Sequence, residues 1–306
     1  MEFLAALTGI LIAIQARSNG QLSHEVKNSI EAALISFSSG LVIILVIALF
    51  SKPMRAGLRQ IRTALKTKSL PKWPLIAGAL GGCAIGIQTH VVPLLGVAIY
   101  SVASISGQTG VSLIVDRLGL TGGAKQHISG RRILAALVTI IAVLVSVWDQ
   151  LSLTHFALVA VAVTIIAGSL IGVQRAFNGQ INSHSHQSFA TTLMNFIMGT
   201  SVLALTLLFI TLVKHERIYP FPHGPWWIYT GGITGVIYIA FASTVVQHLG
   251  VLTFTLFSVG GQLLGSLLID FISPSTGTHI SWYLVAGIAI TYVGVIIGGQ
   301  SRLFRR

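Results

Sequence analysis

Residues 9–22 read GILIAIQARSNGQL, and residues 168–181 read GSLIGVQRAFNGQI. Seven of these fourteen positions are identical: Gly9/Gly168, Leu11/Leu170, Ile12/Ile171, Gln15/Gln174, Asn19/Asn178, Gly20/Gly179 and Gln21/Gln180. Ordinary residue frequencies would supply about one match. Both copies lie in long apolar runs. A polar signature repeated in two apolar halves points to a site built where the halves meet.

The match extends outward. Phe37 and Gly40 pair with Phe196 and Gly199 at the same offset of 159. The second copy's next loop is five residues shorter, and the offset becomes 154: Trp73, Gly78 and Gly81 pair with Trp227, Gly232 and Gly235. Gly96-Val97 then pairs with Gly250-Val251, Gly107-Gln108 with Gly261-Gln262, Ser112-Leu113 with Ser266-Leu267, and Asp116 with Asp270.

Composition names the solvent. Hydrophobic residues make up 53% of the 306-residue chain and charged residues only 8%; mean hydropathy is +0.84. Soluble domains carry about 25% charged residues. A spanning helix needs roughly 20 apolar residues, and helices satisfy their own backbone within lipid. We read ten spans, near 2–20, 30–50, 73–93, 96–116, 131–148, 153–174, 188–213, 225–247, 250–270 and 281–299. The expected fold is thus all-α and integral to the membrane. It has one five-helix repeat in 1–150 and a second, of inverted topology, in 151–306. The apolar N-terminal run carries Glu2 and no Lys or Arg before Arg17, and it has a mid-chain copy. It reads as a retained span rather than a signal peptide.

The net charge of +12 does not imply nucleic acid, because the basic residues lie between apolar spans without an aromatic-basic motif. Of nineteen Lys and Arg residues, fifteen fall at the termini and in even-numbered loops; Arg17, Lys27, Lys214 and Arg217 do not. The positive-inside rule then places both termini in the cytoplasm. Loop 51–72 holds seven basic residues and its counterpart 214–224 holds two. The spacing in 51–72 is compatible with an amphipathic surface helix, but the preferred reading is an orientation signal touching anionic lipid. The single Cys83 permits no intramolecular disulfide.

Gln15 and Asn19 lie four residues apart and share a helix face, as do Gln174 and Asn178. Gln108 and Gln262 lie midway along spans 4 and 9. These six amides are the candidate solute-binding residues, since an amide donates and accepts at once. The competing reading is interhelical hydrogen bonding, with Asn19-Gly20 and Asn178-Gly179 ending or kinking their helices. Asp116 and Asp270 close spans 4 and 9 at opposite faces. Two gates are conceivable, Asp116–Arg175 inside and Asp270–Arg17 outside; the competing reading is plain interfacial charge. Stripes of small residues (Ala5, Gly9, Ala13; Gly168, Gly172, Ala176; Gly78, Gly82, Gly86) read as packing faces.

His184-Ser185-His186 lacks a third metal ligand, and no Walker loop, HExxH or GxSxG motif is present. The expectation is no catalytic residue, no metal, no cofactor and no enzyme activity.

The Gln-x3-Asn-Gly-Gln of span 1, the Ser36-Phe37-x2-Gly40 of span 2, and Gly107-Gln108 followed by Ser112-Leu113-Ile114 and Asp116 together resemble the YdcZ branch of the drug/metabolite transporter superfamily. The resemblance covers nearly the whole chain. It implies ten helices in two inverted repeats, a bacterial cytoplasmic membrane and a central substrate cavity. Small multidrug exporters of that superfamily carry a glutamate in their first helix; here the polar residue is Gln15. The resulting expectation is a permease moving a small organic solute by alternating access. A non-transporting assembly partner and a lipid flippase are the alternatives. Membrane lipid is the surrounding partner, and a homo-oligomer is left open.

Overall fold

The computed structural model describes residues 1–120, 129–146, 148, 155–214, 224–274 and 280–299. Among these residues there is helix and no strand. The helices are α1 (Glu2–Val26), α2 (Ser29–Phe50), α3 (Lys52–Lys66), α4 (Ala77–Leu118), α5 (Gly130–Ser146), α6 (His155–Ser185), α7 (Ser188–Lys214), α8 (Gly231–Ile272) and α9 (Trp282–Gly299). Four described segments are long and apolar enough to cross a membrane: Ser29–Phe50, Trp73–Val115, Leu158–Ser185 and Ser188–Val213. Shorter apolar helices run over Ile133–Ser146, Phe257–Ile272 and Trp282–Ile297. Leu, Ile, Val and Phe side chains lie exposed along α2, α5, α7 and α9, which is the outward face that lipid requires.

Two helices are too long for one crossing. A straight 42-residue helix would extend about 63 Å, twice the hydrocarbon thickness. α4 breaks at Gly96, whose φ of 81° and ψ of 168° suit a residue without Cβ. Beyond the break the chain turns back far enough for Gln88 Nε2 to reach the Tyr100 hydroxyl at 3.3 Å. Along a straight helix these residues would sit about 18 Å apart. α8 also doubles back. Gln15 of α1 bonds the Gly231 carbonyl at 3.2 Å, and Arg17, half a turn on, bonds Ser273 Oγ at 3.0 Å. Neighbouring residues of α1 thus hold both ends of α8.

The internal repeat is visible as paired contacts. A methyl group on Gly9 would overlap the Ser258 carbonyl, and one on Gly168 would overlap the Ser104 carbonyl. Gly261 meets the Ala6 carbonyl as Gly107 meets that of Ile165. Gly81 lies under Gln174, and Gly235 lies under Gln15. In each case the second contact is the first one transposed by the repeat. α1 therefore packs on the last arm of α8, and α6 on the last arm of α4, as the short glycine side permits. Phe37 and Phe196 are themselves equivalents, and their rings touch at 5.3 Å between centroids. Gly40 faces Phe196, and Gly199 faces Phe37. The two repeats meet at this contact, through which a pseudo-twofold axis relating them would pass.

Local signals explain the ends of elements. Lys27 adopts the left-handed region at φ 59° and Asn28 caps α2, its Oδ1 accepting from the backbone of Ile30 and Glu31 at 3.1 Å each. α3 forms over the basic loop, as the spacing allows. Its buried Met54, Gly57, Ile61 and Ala64 form one stripe, while Lys52, Arg55, Arg59, Arg62 and Lys66 are exposed. This basic helix marks one end of the bundle, called here the α3 end; the other is the Val26 end.

One expectation fails. Asn19-Gly20 and Asn178-Gly179 do not end or break their helices, because α1 continues to Val26 and α6 to Ser185. Their amides bond other helices instead of their own backbone. Gly20 serves close packing, with the Val92 side chain in the space a Cβ would need.

Candidate functional site

Asn19 is fully buried, and its Nδ2 donates to Gln88 Oε1 at 3.0 Å. Gln88 Nε2 donates to the Tyr100 hydroxyl at 3.3 Å, and further along the same arm Gln108 Nε2 donates to Ser104 Oγ at 3.1 Å. A polar string thus leads from α1 to both arms of α4. Such strings survive in apolar surroundings only when nearly every group has a partner. The exception is Asn19 Oδ1, which has no hydrogen-bond partner and abuts Gly231.

The second copy solves the same problem differently. Asn195 of α7 accepts from Gln174 Nε2 at 3.2 Å and donates to Asn178 Oδ1 at 2.6 Å. One amide thereby clasps two residues a helical turn apart, which is what four-residue spacing provides. The equivalent of Asn195 is Ser36, too short for this role, and Gln15 bonds a backbone carbonyl instead. Gln262 is 4% exposed, with its backbone nitrogen against Gly9. Four of the six expected amides, Gln15, Asn19, Gln174 and Asn178, therefore hydrogen-bond between helices. Gln88, Tyr100, Ser104 and Asn195 were not singled out from sequence; the departure of Asn195 from Ser36 inside an otherwise matching motif was the available signal.

The charged residues are placed unexpectedly. Asp270 makes no ion pair with Arg17. Its Oδ1 and Oδ2 accept from the backbone N–H groups of Val97 and Ala98 at 3.1 and 2.7 Å. These N–H groups open the second arm of α4 immediately after Gly96, where no intrahelical acceptor exists. The carboxylate of one repeat therefore caps a helix of the other, with the favourable sign for a helix N-terminus. Arg17 instead donates to Gln21 Oε1 at 2.9 Å and to Ser273 Oγ, and lies 5.5 Å from the Trp227 ring centroid. All of this sits at the Val26 end.

Arg175 is not the repeat equivalent of Arg17. At offset 159 it matches Ala16, and Arg17 matches Ala176. Its guanidinium reaches the Tyr238 hydroxyl of α8 at 3.4 Å. The side chain of Asp116, expected opposite it, lies outside the described residues. Arg175 is exposed, but not on the lipid face of α6. Val159 and Ile166 are exposed there, and nine residues from Ile166 to Arg175 turn the helix by about 180°. Gly179, one turn further, is also exposed. In the first copy the same two positions are Ala16, 1% exposed, and buried Gly20. Equivalent faces are therefore shut at the Val26 end and open at the α3 end.

His184 Nδ1 sits 2.9 Å from the Gln180 carbonyl, and no group of three metal-binding side chains occurs among the described residues. An open groove of about 520 Å³ lies beside α3, lined by Arg59, Gln60, Thr63, His184 and His186 among others.

A family model, DMT_YdcZ, with the description "Putative inner membrane exporter, YdcZ", matches residues 1–145 and again residues 159–297. The chain belongs to the YdcZ family. The family model thus covers the chain in two repeats. The family is a membrane transporter family of the drug/metabolite transporter type, and the protein is a multi-pass inner-membrane protein. No curated protein matches the chain.

Proposed function

We propose that this YdcZ-family protein is a non-enzymatic exporter of a small organic solute that works by alternating access between two inverted halves. The ten spans of this reading are α1, α2, the two arms of α4, α5, α6, α7, the two arms of α8, and α9. The α3 end faces the cytoplasm, because α3 concentrates the basic residues there. The halves are 1–150 and 151–306.

The observation that carries the reading is the unequal exposure of equivalent faces. Two copies of one architecture related by an axis in the membrane plane present like faces at the two ends, and a molecule held in one state of an exchange covers one and opens the other. Here Ala16 and Gly20 are covered while Arg175 and Gly179 are open. Exchange of the two arrangements would shut the cytoplasmic end and open the outer one. The Gly–backbone contacts between α1 and α8 and between α4 and α6 offer smooth faces for that motion, and the Asp270 cap fastens the outer end. The gate at this end is then carboxylate to helix N-terminus, not carboxylate to Arg17.

Cysteine labelling in a Cys83→Ser background tests this. With a membrane-impermeant maleimide, Gly179→Cys should react from the cytoplasmic side and Ala16→Cys should be protected in the resting protein. Adding Asp270→Asn should raise Ala16→Cys reactivity from outside and lower that of Gly179→Cys. Independent reactivities, unmoved by the Asp270 change, would refute the exchange of states.

A further inference from the structure

We infer that Arg175 and Tyr238 form the solute-recognition pair and that the exported solute carries a carboxylate; this rests on the export reading above. Tyr238 lies three residues, about one turn, beyond Gly235, a position that borders the Phe196 ring on the pseudo-twofold axis. The axis marks the middle of the membrane for two inverted halves. The guanidinium that meets the Tyr238 hydroxyl therefore lies within the span, on the α3 side of its middle, in the space between α6 and α8 rather than against lipid. A charge at that depth is costly unless it faces a polar cavity or a partner. The long 3.4 Å contact engages only one of the five N–H donors of the side chain, so an exposed planar fork remains.

Guanidinium matches a carboxylate with two parallel hydrogen bonds. The phenol supplies one further donor. A single positive charge balances a monoanion, whereas a phosphate dianion would remain half neutralised. Gln15 borders Gly235, one turn from Tyr238, and Gln174 precedes Arg175; both amides are bonded to protein through Nε2.

The same assignment accounts for the scarcity of acidic residues in the spans. The chain holds seven Asp and Glu residues, and Asp270 is occupied as a helix cap. An anion leaving an inside-negative cell moves down the membrane potential, so its export needs no proton-carrying carboxylate.

The test uses the purified full chain in liposomes loaded with N-acetyl amino acids, their uncharged N-acetyl amino acid amides, and small amines. Release is measured by mass spectrometry with a potassium-valinomycin potential set negative inside or at zero. Both protein orientations are present, so the lumen is supplied equally to either face. We expect acids to leave faster than their amides, faster still with the negative potential. Arg175→Gln should cut acid release roughly tenfold, the loss of one charge-assisted pair. Tyr238→Phe should cut it by a smaller factor, and Arg175→Lys should fall between. Elution as a single sharp species checks folding of each variant. Release of amides or amines in preference to acids would overturn the carboxylate assignment while leaving transport intact. Acid release unaffected in both Arg175→Gln and Tyr238→Phe would overturn the site. Release of nothing above empty liposomes would overturn the transport reading and this inference with it.

Discussion

Removing the Asp270 carboxylate should release the start of the second arm of α4, by an amount that follows from two hydrogen bonds. Val97 and Ala98 donate to it at 3.1 and 2.7 Å. They belong to a first helical turn, which has no intrahelical acceptor for them, and both lie buried, so water is not an easy substitute. Leaving a buried donor unsatisfied costs about 1–3 kcal/mol, and loss of a helix cap about 0.5–2 kcal/mol. These overlap, so Asp270→Ala should cost about 2–4 kcal/mol in total. Asp270→Asn keeps one acceptor oxygen and loses the charge at a helix N-terminus, about 1 kcal/mol. The assay is hydrogen exchange resolved to peptides covering 96–104, in nanodiscs, beside a thermal melt. Local opening follows the free energy, so Asp270→Ala should exchange this segment roughly 30- to 1,000-fold faster and Asp270→Asn roughly five- to tenfold faster. Unchanged exchange in the alanine variant would refute the reasoning outright. An asparagine variant as damaged as the alanine one would show that acceptor geometry is not what Asp270 provides.

Further outcomes follow from the same contacts. Gly9→Leu and Gly168→Leu should both abolish correctly assembled protein, judged by gel filtration, because each side chain would enter a neighbouring backbone; tolerance of either would break the equivalence of the two interfaces. Asn195→Leu strands the Gln174 and Asn178 amides and should cost about 1–2 kcal/mol in a thermal or denaturant melt, whereas Ser36→Ala should leave these amides satisfied and lower the melt less. Reversing Arg55, Arg59 and Arg62 to Glu should weaken binding to anionic-lipid vesicles in an ionic-strength-dependent way, or flip topology; unchanged salt dependence would sever α3 from lipid. Impermeant labelling should reach residues in 52–72 and 214–224 from opposite faces, and labelling of both from one face would end the inverted-repeat reading.

The architecture was legible because it is written twice. Gly96-Val97 recurring as Gly250-Val251 separated spans 3 and 4 in sequence, and α4 does break at Gly96. The shared face of Gln174 and Asn178 followed from spacing alone, and one Asn195 side chain confirms it. What could not be read was who answers whom. A lone Gln88 or Tyr100 in an apolar run has no periodicity to announce it, and its partner lies on another helix. Asn19-Gly20 looked like a helix end because Asn competes with its own backbone in water; beneath Val92 and beside Gln88 that competition is lost. Asp270 looked like half of an ion pair because sequence displays side-chain charges, while its true acceptor load is two backbone N–H groups created only when Gly96 breaks α4.

Among the described residues the two halves share a skeleton but differ in polar filling, and on the alternating-access proposal this difference has a consequence. Among the described residues, Asn19, Gln88 and Tyr100 tie α1 to both arms of α4 in the first half, and Asn195 ties α7 to α6 in the second. The outer end also has the Asp270 cap. A two-state exchanger with identical ends would populate both states equally, because each would be the mirror of the other under the pseudo-twofold. Extra bonds at one end favour the state that keeps that end shut: a difference of 1.4 kcal/mol suffices for about ten to one. On the alternating-access proposal, the unequal filling among the described residues favours a resting state open at the α3 end, the side from which the proposed exporter loads. It does not set the direction of net flux, since a bias built into the protein is present for both directions of the cycle. Direction belongs to the solute gradient and, for a carboxylate, to the membrane potential. Weakening the outer end by Asp270→Asn should consequently change the resting accessibility of Ala16→Cys and Gly179→Cys without changing the final solute distribution across liposomes at zero potential. A shifted end-point would mean that the chain couples transport to a second driving ion, and the uncoupled carboxylate route would have to be abandoned.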